Sequence, residues 1–337
     1  MSGEYFSIKF NNDKIIFLDQ TKLPLEEIYV DTDDINRIAE AIEKLEVRGA
    51  PLIGITAAYA LALSQKNISS SDSEQKFYEA YQRIKQTRPT AVNLFNALNR
   101  VKNIFEENKT SENIYPILLS EAVKIHQEDI DKCRKIGENG LAIFKNKSTV
   151  LTHCNTGKLA TGGDGTAFSV IKHGFDKGLV EFVYADETRP LLQGSRLTGF
   201  ELHRSGIPFS IQTDSMAAML MQQHKIDLVI TGADRIALNG DTANKIGTYN
   251  LAVLCNYHNI PFYIAAPTTT IDRNIATGAE IVIELRNKKE ILTVNGSLIT
   301  PENYQAYTPA FDVTPSHLIA GIITEEQLHL FPYNFIQ

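Results

Sequence analysis

One cysteine in this chain stands where a thiol could do chemistry. Residues 149–166 read TVLTHCNTGKLATGGDGT. A β-branched apolar run ends in a polar loop holding Cys154 and four glycines, Gly157, Gly162, Gly163 and Gly165; a helix-like segment follows. In an open α/β sheet, ligands bind beyond the carboxyl ends of the strands. Thiolate is the reactive form of cysteine, and nearby positive charge or a helix N-terminus favours it. The glycines would let backbone N–H groups face an anion without side chains in the way. The loop is not a nucleotide signature. It lacks G-x-G-x-x-G spacing, and Gly157-Lys158 is not preceded by the glycine a P-loop needs. Cys133 and Cys255 lie inside helical patterns and read as buried, inert thiols.

Two further clusters bring polar groups to strand ends. Residues 227–249 read DLVITGADRIALNGDTANKIGTY. A strand ends at Gly232, and Asp234-Arg235 follows it as Cys154 follows its own strand. A turn is expected at Asn239-Gly240-Asp241, then a helix opening at Asn244-Lys245. That helix N-terminus and Lys245 would suit an anion. The plainer reading of Asp234-Arg235 is a local ion pair or a helix cap. Residues 186–201, DETRPLLQGSRLTGFE, bring Thr188, Arg189, Gln193 and Arg196 to another strand end.

These clusters need a sheet to hold them, and the second half of the chain has its rhythm. Short apolar runs appear at 149–153, 181–185, 209–213, 227–231 and 262–266, with weaker ones near 281–285 and 318–323. Helix-like segments fall at 164–174, 190–204, 214–224 and 244–257. Strands alternating with helices predict a parallel sheet covered on both faces. The first half reads mostly helical after alternating, strand-like residues at the start. Ile35, Ile38, Ala39, Ile42 and Leu45 recur at helical spacing. Arg48-Gly49-Ala50-Pro51 interrupts them, Gly49 permitting a sharp turn and Pro51 suiting a first helical position. Residues 64–76 read as a polar loop. Pro89 in Thr87-Arg88-Pro89 is expected to open another helix, with Val92, Phe95, Leu98 and Val101 on its apolar face. A long helical segment runs from about 114 to Phe144. The expected fold is α/β: a mostly helical N-terminal domain over 1–145 and a Rossmann-like domain with a mainly parallel sheet over 146–337.

The blocks RGAPLIG (48–54), RPTAVNLF (88–95), LTHCNTGKLATGG (151–163), DETRPLLQGSRLTGFEL (186–202), TDSMAA (213–218), GADRIALNGDTANKIGTY (232–249) and PAFDVTP (309–315) span nearly the whole chain. Through them the chain resembles the methylthioribose-1-phosphate isomerase family, a branch of the superfamily that includes the regulatory subunits of eIF2B. The resemblance implies an aldose–ketose isomerase of methionine salvage and a homodimer. It implies Cys154 and Asp234 as the catalytic pair. It further implies that Arg48, Gly49, Ala50, Arg88, Gln193, Asn244 and Lys245 hold the sugar phosphate. Arginine suits that role chemically, because guanidinium binds phosphate through paired hydrogen bonds. The chain departs from the family pattern at Asn96, Asp164, Leu285 and Thr308, none of them a catalytic or phosphate-site candidate. A related 5-substituted pentose 1-phosphate, such as 5-deoxyribose 1-phosphate, is the alternative substrate. A non-catalytic regulatory subunit is the alternative of a different class.

Composition narrows the rest. A length of 337 residues allows two domains, and 43% hydrophobic with 22% charged residues is ordinary for a globular protein. A net charge of −7 argues against nucleic acid as a partner, since such domains carry a basic stripe. Three widely spaced cysteines, with no Cys-x-x-Cys pair, fit reduced thiols in the cytoplasm rather than disulfides or a metal site. The first residues lack the basic-then-apolar pattern of a signal peptide. The longest apolar run, 51–63, is too short to span a membrane and reads as a core helix. No cofactor and no metal are expected.

Overall fold

The computed structural model describes residues 5–88, 92–294 and 296–335. The chain divides into two compact units. One comprises residues up to Arg134 together with Gly157–Gly165, the other Lys135–Thr156 together with Thr166–Gln337.

The first unit opens with an antiparallel meander of β1 (Ile8–Asn11), β2 (Lys14–Leu18) and β3 (Tyr29–Thr32). Helix α1 (Ile35–Glu43) starts where the Asp34 carboxylate accepts from the Asn36 N–H, a side-chain N-cap, and it buries Ile38, Ala39, Ala41 and Ile42. Gly49 then turns the chain at φ +97°, and α2 (Ala50–Leu63) begins with Pro51 in its first turn. Every residue of α2 from Leu52 to Leu63 is buried, so the apolar run is the core helix its composition predicts. Helix α3 (Ser73–Lys85) shortens the polar loop expected over 64–76, because Phe77, Ala80, Tyr81 and Ile84 give it a buried face. In α4 (Val92–Asn108) the buried face is Leu94, Ala97, Leu98, Val101 and Phe105, rotated from the expected one; Val92 and Phe95 are half-buried. The Phe105 ring stacks on Phe77 at 3.9 Å. Pro89 lies outside the described residues. Helix α5 (Ile114–Gly140) follows, its residues up to Arg134 belonging to this unit.

The second unit holds a seven-stranded sheet among the described residues. Its strands are β4 (Ser148–Thr152), β5 (Val180–Asp186), β6 (Phe209–Gln212), β7 (Leu228–Thr231), β10 (Phe262–Ala265), β14 (Gly321–Ile323) and β15 (Leu328–Leu330), in the order β15-β14-β10-β7-β4-β5-β6. All pairs are parallel except β14 with β15. Leaving out β15, the order is the doubly wound 3-2-1-4-5-6, so the fold is α/β as expected. Helices α6 (Ala167–Asp176), α7 (Gly199–Arg204), α8 (Ala217–Gln222) and α9 (Thr248–His258) follow or separate the strands. Two apolar clusters fill the unit, one around Val150, Val183 and Ile230 and the other around Leu151, Val229 and Ile264. Neighbouring residues of one strand thus point into different clusters, as burial on both faces requires.

Three expectations fail locally. Residues 244–257 are not one helix. Thr242–Lys245 form β9, which pairs antiparallel with β8 (Arg235–Ile236) on one side and β13 (Phe311–Thr314) on the other, and α9 starts only after Gly247 at φ +105°. Pairing on both sides outweighs the local helical pattern. Residues 190–204 do not form a single α-helix. A π-helical turn, Gly194–Thr198, precedes α7, after positive φ values at Thr188 and Leu192. Near 281–285 there is only an isolated bridge between Leu285 and Pro309, and Val282 and Leu285 are exposed. The shorter elements α10 (Lys289–Leu292), β11 (Thr293–Val294) and β12 (Ser297–Leu298) lie in the same excursion.

Candidate active site

In a 3-2-1-4-5-6 sheet the strand order reverses between the first and fourth strands, and ligands bind beyond their carboxyl ends. Those strands are β4 and β7, which pair through Val150–Leu228 and Leu151–Val229. Cys154 follows β4 and Asp234 follows β7, so thiol and carboxyl stand on the two strand ends that flank the switch point.

Cys154 is held by its backbone. It adopts φ +62° and is buried. Its N–H donates to Thr188 Oγ1 (2.9 Å), and its carbonyl accepts from Thr198 Oγ1 (2.6 Å). Next to it, Asn155 donates to the Glu201 carboxylate from a fully buried setting. A non-glycine residue at positive φ is uncommon, and here paired hydrogen bonds on both sides keep it there. Cys133 and Cys255 are buried inside helices α5 and α9. Burial pushes the Cys133 thiol well up and the Cys255 thiol to about 12, which favours the protonated, less reactive form.

Asp234 is half-buried, and its N–H donates to the Ala243 carbonyl (2.9 Å). The β8–β9 hairpin therefore folds Asn244 and Lys245 back beside it. Asn244 is buried and donates from Nδ2 to Thr248 Oγ1 (2.9 Å). Lys245 Nζ donates to the Ala310 carbonyl (3.0 Å) and sits 4.6 Å from the Phe311 ring centroid. The start of α9 is not an open anion site. The Asp312 carboxylate accepts from the N–H groups of Gly247 (2.7 Å) and Tyr249 (3.0 Å), so the chain supplies its own anion there.

Gln193 is buried at the entry to the π-helical turn, and its Oε1 has no hydrogen-bond partner among the described residues. The following glycine is obligatory, because a Cβ on Gly194 would fall 1.6 Å from the Asp186 carbonyl oxygen.

The remaining candidates belong to the first unit. Arg48 and Arg88 are half-buried. Gly49 presses on the glycine-rich loop: a Cβ there would approach Ala160 Cα and O to 2.5 Å. Three of that loop's N–H groups are engaged within the chain. The N–H of Ala160 donates to Gly157 O, that of Thr161 to Lys158 O, and that of Gly162 to the Asp129 carboxylate (2.7 Å). Two of its glycines pack closely, Gly162 against His126 and Gly163 against Cys133, both on α5.

Sequence reasoning passed over a polar girdle across the strand ends of the second unit. His153 is fully buried, its Nδ1 lies 3.0 Å from Asp186 Oδ2, and its Nε2 donates to the Ile246 carbonyl (2.9 Å). Gln212 donates to Asp186 Oδ1 (2.8 Å). Asp214 accepts from the N–H groups of Thr188 (2.7 Å) and Arg189 (2.8 Å). Burial opposes a charged imidazole at His153, but the carboxylates of Asp186 and Asp214 outweigh it and raise its pKa. His153, Asp186 and Asp214 bring ligand-type atoms within 4.8 Å of one another, and hydrogen bonds account for these groups. The signal for His153 and Asp186 was the same as for Cys154: a polar residue closing a buried strand.

Fold and site define a doubly wound α/β protein with a thiol and a carboxyl at the strand ends flanking its switch point. The model of the initiation factor 2 subunit family matches residues 46–327. The methylthioribose-1-phosphate isomerase of Caldicellulosiruptor saccharolyticus is 52% identical over 328 residues, covering 96% of each chain. The crystal structure of 5-methylthioribose 1-phosphate isomerase from Pyrococcus horikoshii OT3 is similar with a TM-score of 0.93 and 40% identity, covering 98% of this chain and 94% of that one. A crystal structure described as translation initiation factor eIF-2B, subunit delta, from A. fulgidus gives 0.88 and 39%, covering 98% and 97%. The chain belongs to the methylthioribose-1-phosphate isomerase branch of the initiation factor 2 subunit family. Membership marks it as an enzyme of the aldose–ketose isomerase type.

Proposed function

We propose that this chain converts 5-methylthioribose 1-phosphate to 5-methylthioribulose 1-phosphate, with Asp234 as general acid and Cys154 assisting hydrogen transfer from C2 to C1. The observation that supports this most is 52% identity over nearly the full length of a protein named for that reaction. The positions of Cys154 and Asp234 on the strand ends flanking the switch point agree with it.

In an aldose 1-phosphate the phosphate blocks the anomeric oxygen, so the ring cannot open to a free aldehyde. Asp234 gives a proton to the ring oxygen as the bond from C1 to that oxygen breaks, and must hold that proton beforehand. Hydrogen then moves from C2 to C1, the C2 hydroxyl releases its proton, which lets Asp234 be reprotonated through solvent, and C2 becomes the carbonyl. By one route Cys154 takes the C2 proton and returns it to C1 through an enol phosphate. By the other, hydride shifts directly and Cys154 steadies the charged intermediate. Arg48, Gly49, Ala50, Arg88, Gln193, Asn244 and Lys245 bind the sugar phosphate. The unpartnered Gln193 Oε1 is suited to accept from a sugar hydroxyl. The protein acts in the cytoplasm as a homodimer and needs no cofactor.

Cys154→Ser and Asp234→Asn should fold normally and lose at least about a hundredfold in turnover, the scale of acid–base catalysis. A near-normal rate in either variant removes that residue from the mechanism. With C2-deuterated substrate, loss of label to solvent rules out a purely direct hydride shift.

A further inference from the structure

We propose that His153 is a positioning residue for the isomerase reaction, tying the strand end that bears Cys154 to the segment that bears Asn244 and Lys245. The proposal rests on the isomerase reading above.

His153 is the residue before Cys154, and Ile246 is the residue after Lys245. The imidazole spans the two. A carbonyl only accepts, so Nε2 carries a proton and donates it to Ile246 O at 2.9 Å. On the other side Nδ1 and Asp186 Oδ2, 3.0 Å apart, share a single proton, and Gln212 fixes the second Asp186 oxygen. The ring is fully buried, so neither bond is replaced by solvent. The segment it reaches is shaped to receive it. Gly247 lies so close that a Cβ would meet the ring at 2.9 Å, and the Asp312 carboxylate clamps the Gly247 and Tyr249 N–H groups from the far side. The charged groups acting on the imidazole are Asp186, Asp214 and Asp312. The imidazole acts through the segments it joins. It sets where the thiol stands relative to the Asn244–Lys245 arm, and a misplacement of about 1 Å can cost on the order of a hundredfold in rate.

Two near-isosteric variants separate the two ring bonds. His153→Gln places an amide N–H near the Nε2 position and keeps the tie to Ile246. His153→Asn places one near the Nδ1 position and keeps only Asp186. The readouts are kcat and KM on 5-methylthioribose 1-phosphate, together with hydrogen exchange of the peptide covering residues 242–249. Both are taken on folded protein, well below each variant's Tm. The tie predicts kcat/KM within about tenfold of wild type for Gln. For Asn it predicts a loss of about a hundredfold, with raised KM and at least tenfold faster exchange in that peptide. Equal behaviour of the two variants, or unchanged kcat and KM in folded Asn variant, overturns the positioning role. If wild type itself turns over no pentose 1-phosphate, the isomerase reading fails and the catalytic proposal falls with it. The exchange comparison then still shows whether His153 makes the tie.

Discussion

Cys154 and Gly49 show how closely single residues are specified. Cys154 holds φ +62° between Thr188 and Thr198, and Gly49 holds φ +97° against the backbone of Ala160. Gly49→Ala adds a Cβ at 2.5 Å from Ala160 and places alanine in a conformation it rarely adopts. Strained backbone of this kind costs on the order of 1–3 kcal/mol, and the clash adds to it. A urea titration should show that destabilisation; an unchanged midpoint would refute the close packing. The strand-end placement of Cys154 and Asp234 was legible in the sequence, because each follows an apolar run of strand length. The partners of His153 were not. Ile246 lies 93 residues on and Asp186 lies 33 residues on, so only the sheet order brings them together.

Elements whose character is local were legible, and those made by partners were not. Helix α2 is apolar on all sides, and its sequence could be little else than a core helix. Strand β9 carries a helix-like pattern, yet β8 and β13 flank it and make it a strand. The hairpin turn before β9 depends on Asp241. Its carboxylate accepts from the N–H groups of Gly278 (2.9 Å) and Ser316 (2.8 Å) and from Asn239 Nδ2 (2.9 Å). Burial works toward a higher pKa, but these donors outweigh it and hold the Asp241 pKa below the usual carboxylate value. A lowered folded-state pKa gives stability that is present above the unfolded-chain value and lost as pH falls through the folded one. Asp241→Asn should therefore destabilise by about 1.5–3 kcal/mol at pH 7, the scale of hydrogen bonds to a charged group. The gap to wild type should narrow below about pH 4. Denaturant titrations at the two pH values check this, and a gap that widens in acid would contradict it.

At the scale of the whole molecule, the isomerase relatives match the chain almost from end to end, and the doubly wound sheet places its candidate acid and thiol where that topology binds ligands. Among the described residues no helix is long and apolar enough to cross a membrane. Sedimentation velocity at micromolar concentration should give twice the mass of one chain; a single-chain mass would refute the proposed homodimer. The likeness to a structure described as an eIF-2B subunit reflects shared ancestry of the scaffold, and fold alone does not assign function. Turnover separates the possibilities most directly. Purified wild-type protein is given 5-methylthioribose 1-phosphate or 5-deoxyribose 1-phosphate under identical conditions, and the ketose 1-phosphate is followed by NMR. The isomerase reading expects a C2 carbonyl to form from both pentose phosphates or from the methylthio compound alone, with the larger kcat/KM for the methylthio sugar. A larger kcat/KM for the deoxy sugar would move the substrate assignment, and no ketose from either would contradict the isomerase reading itself.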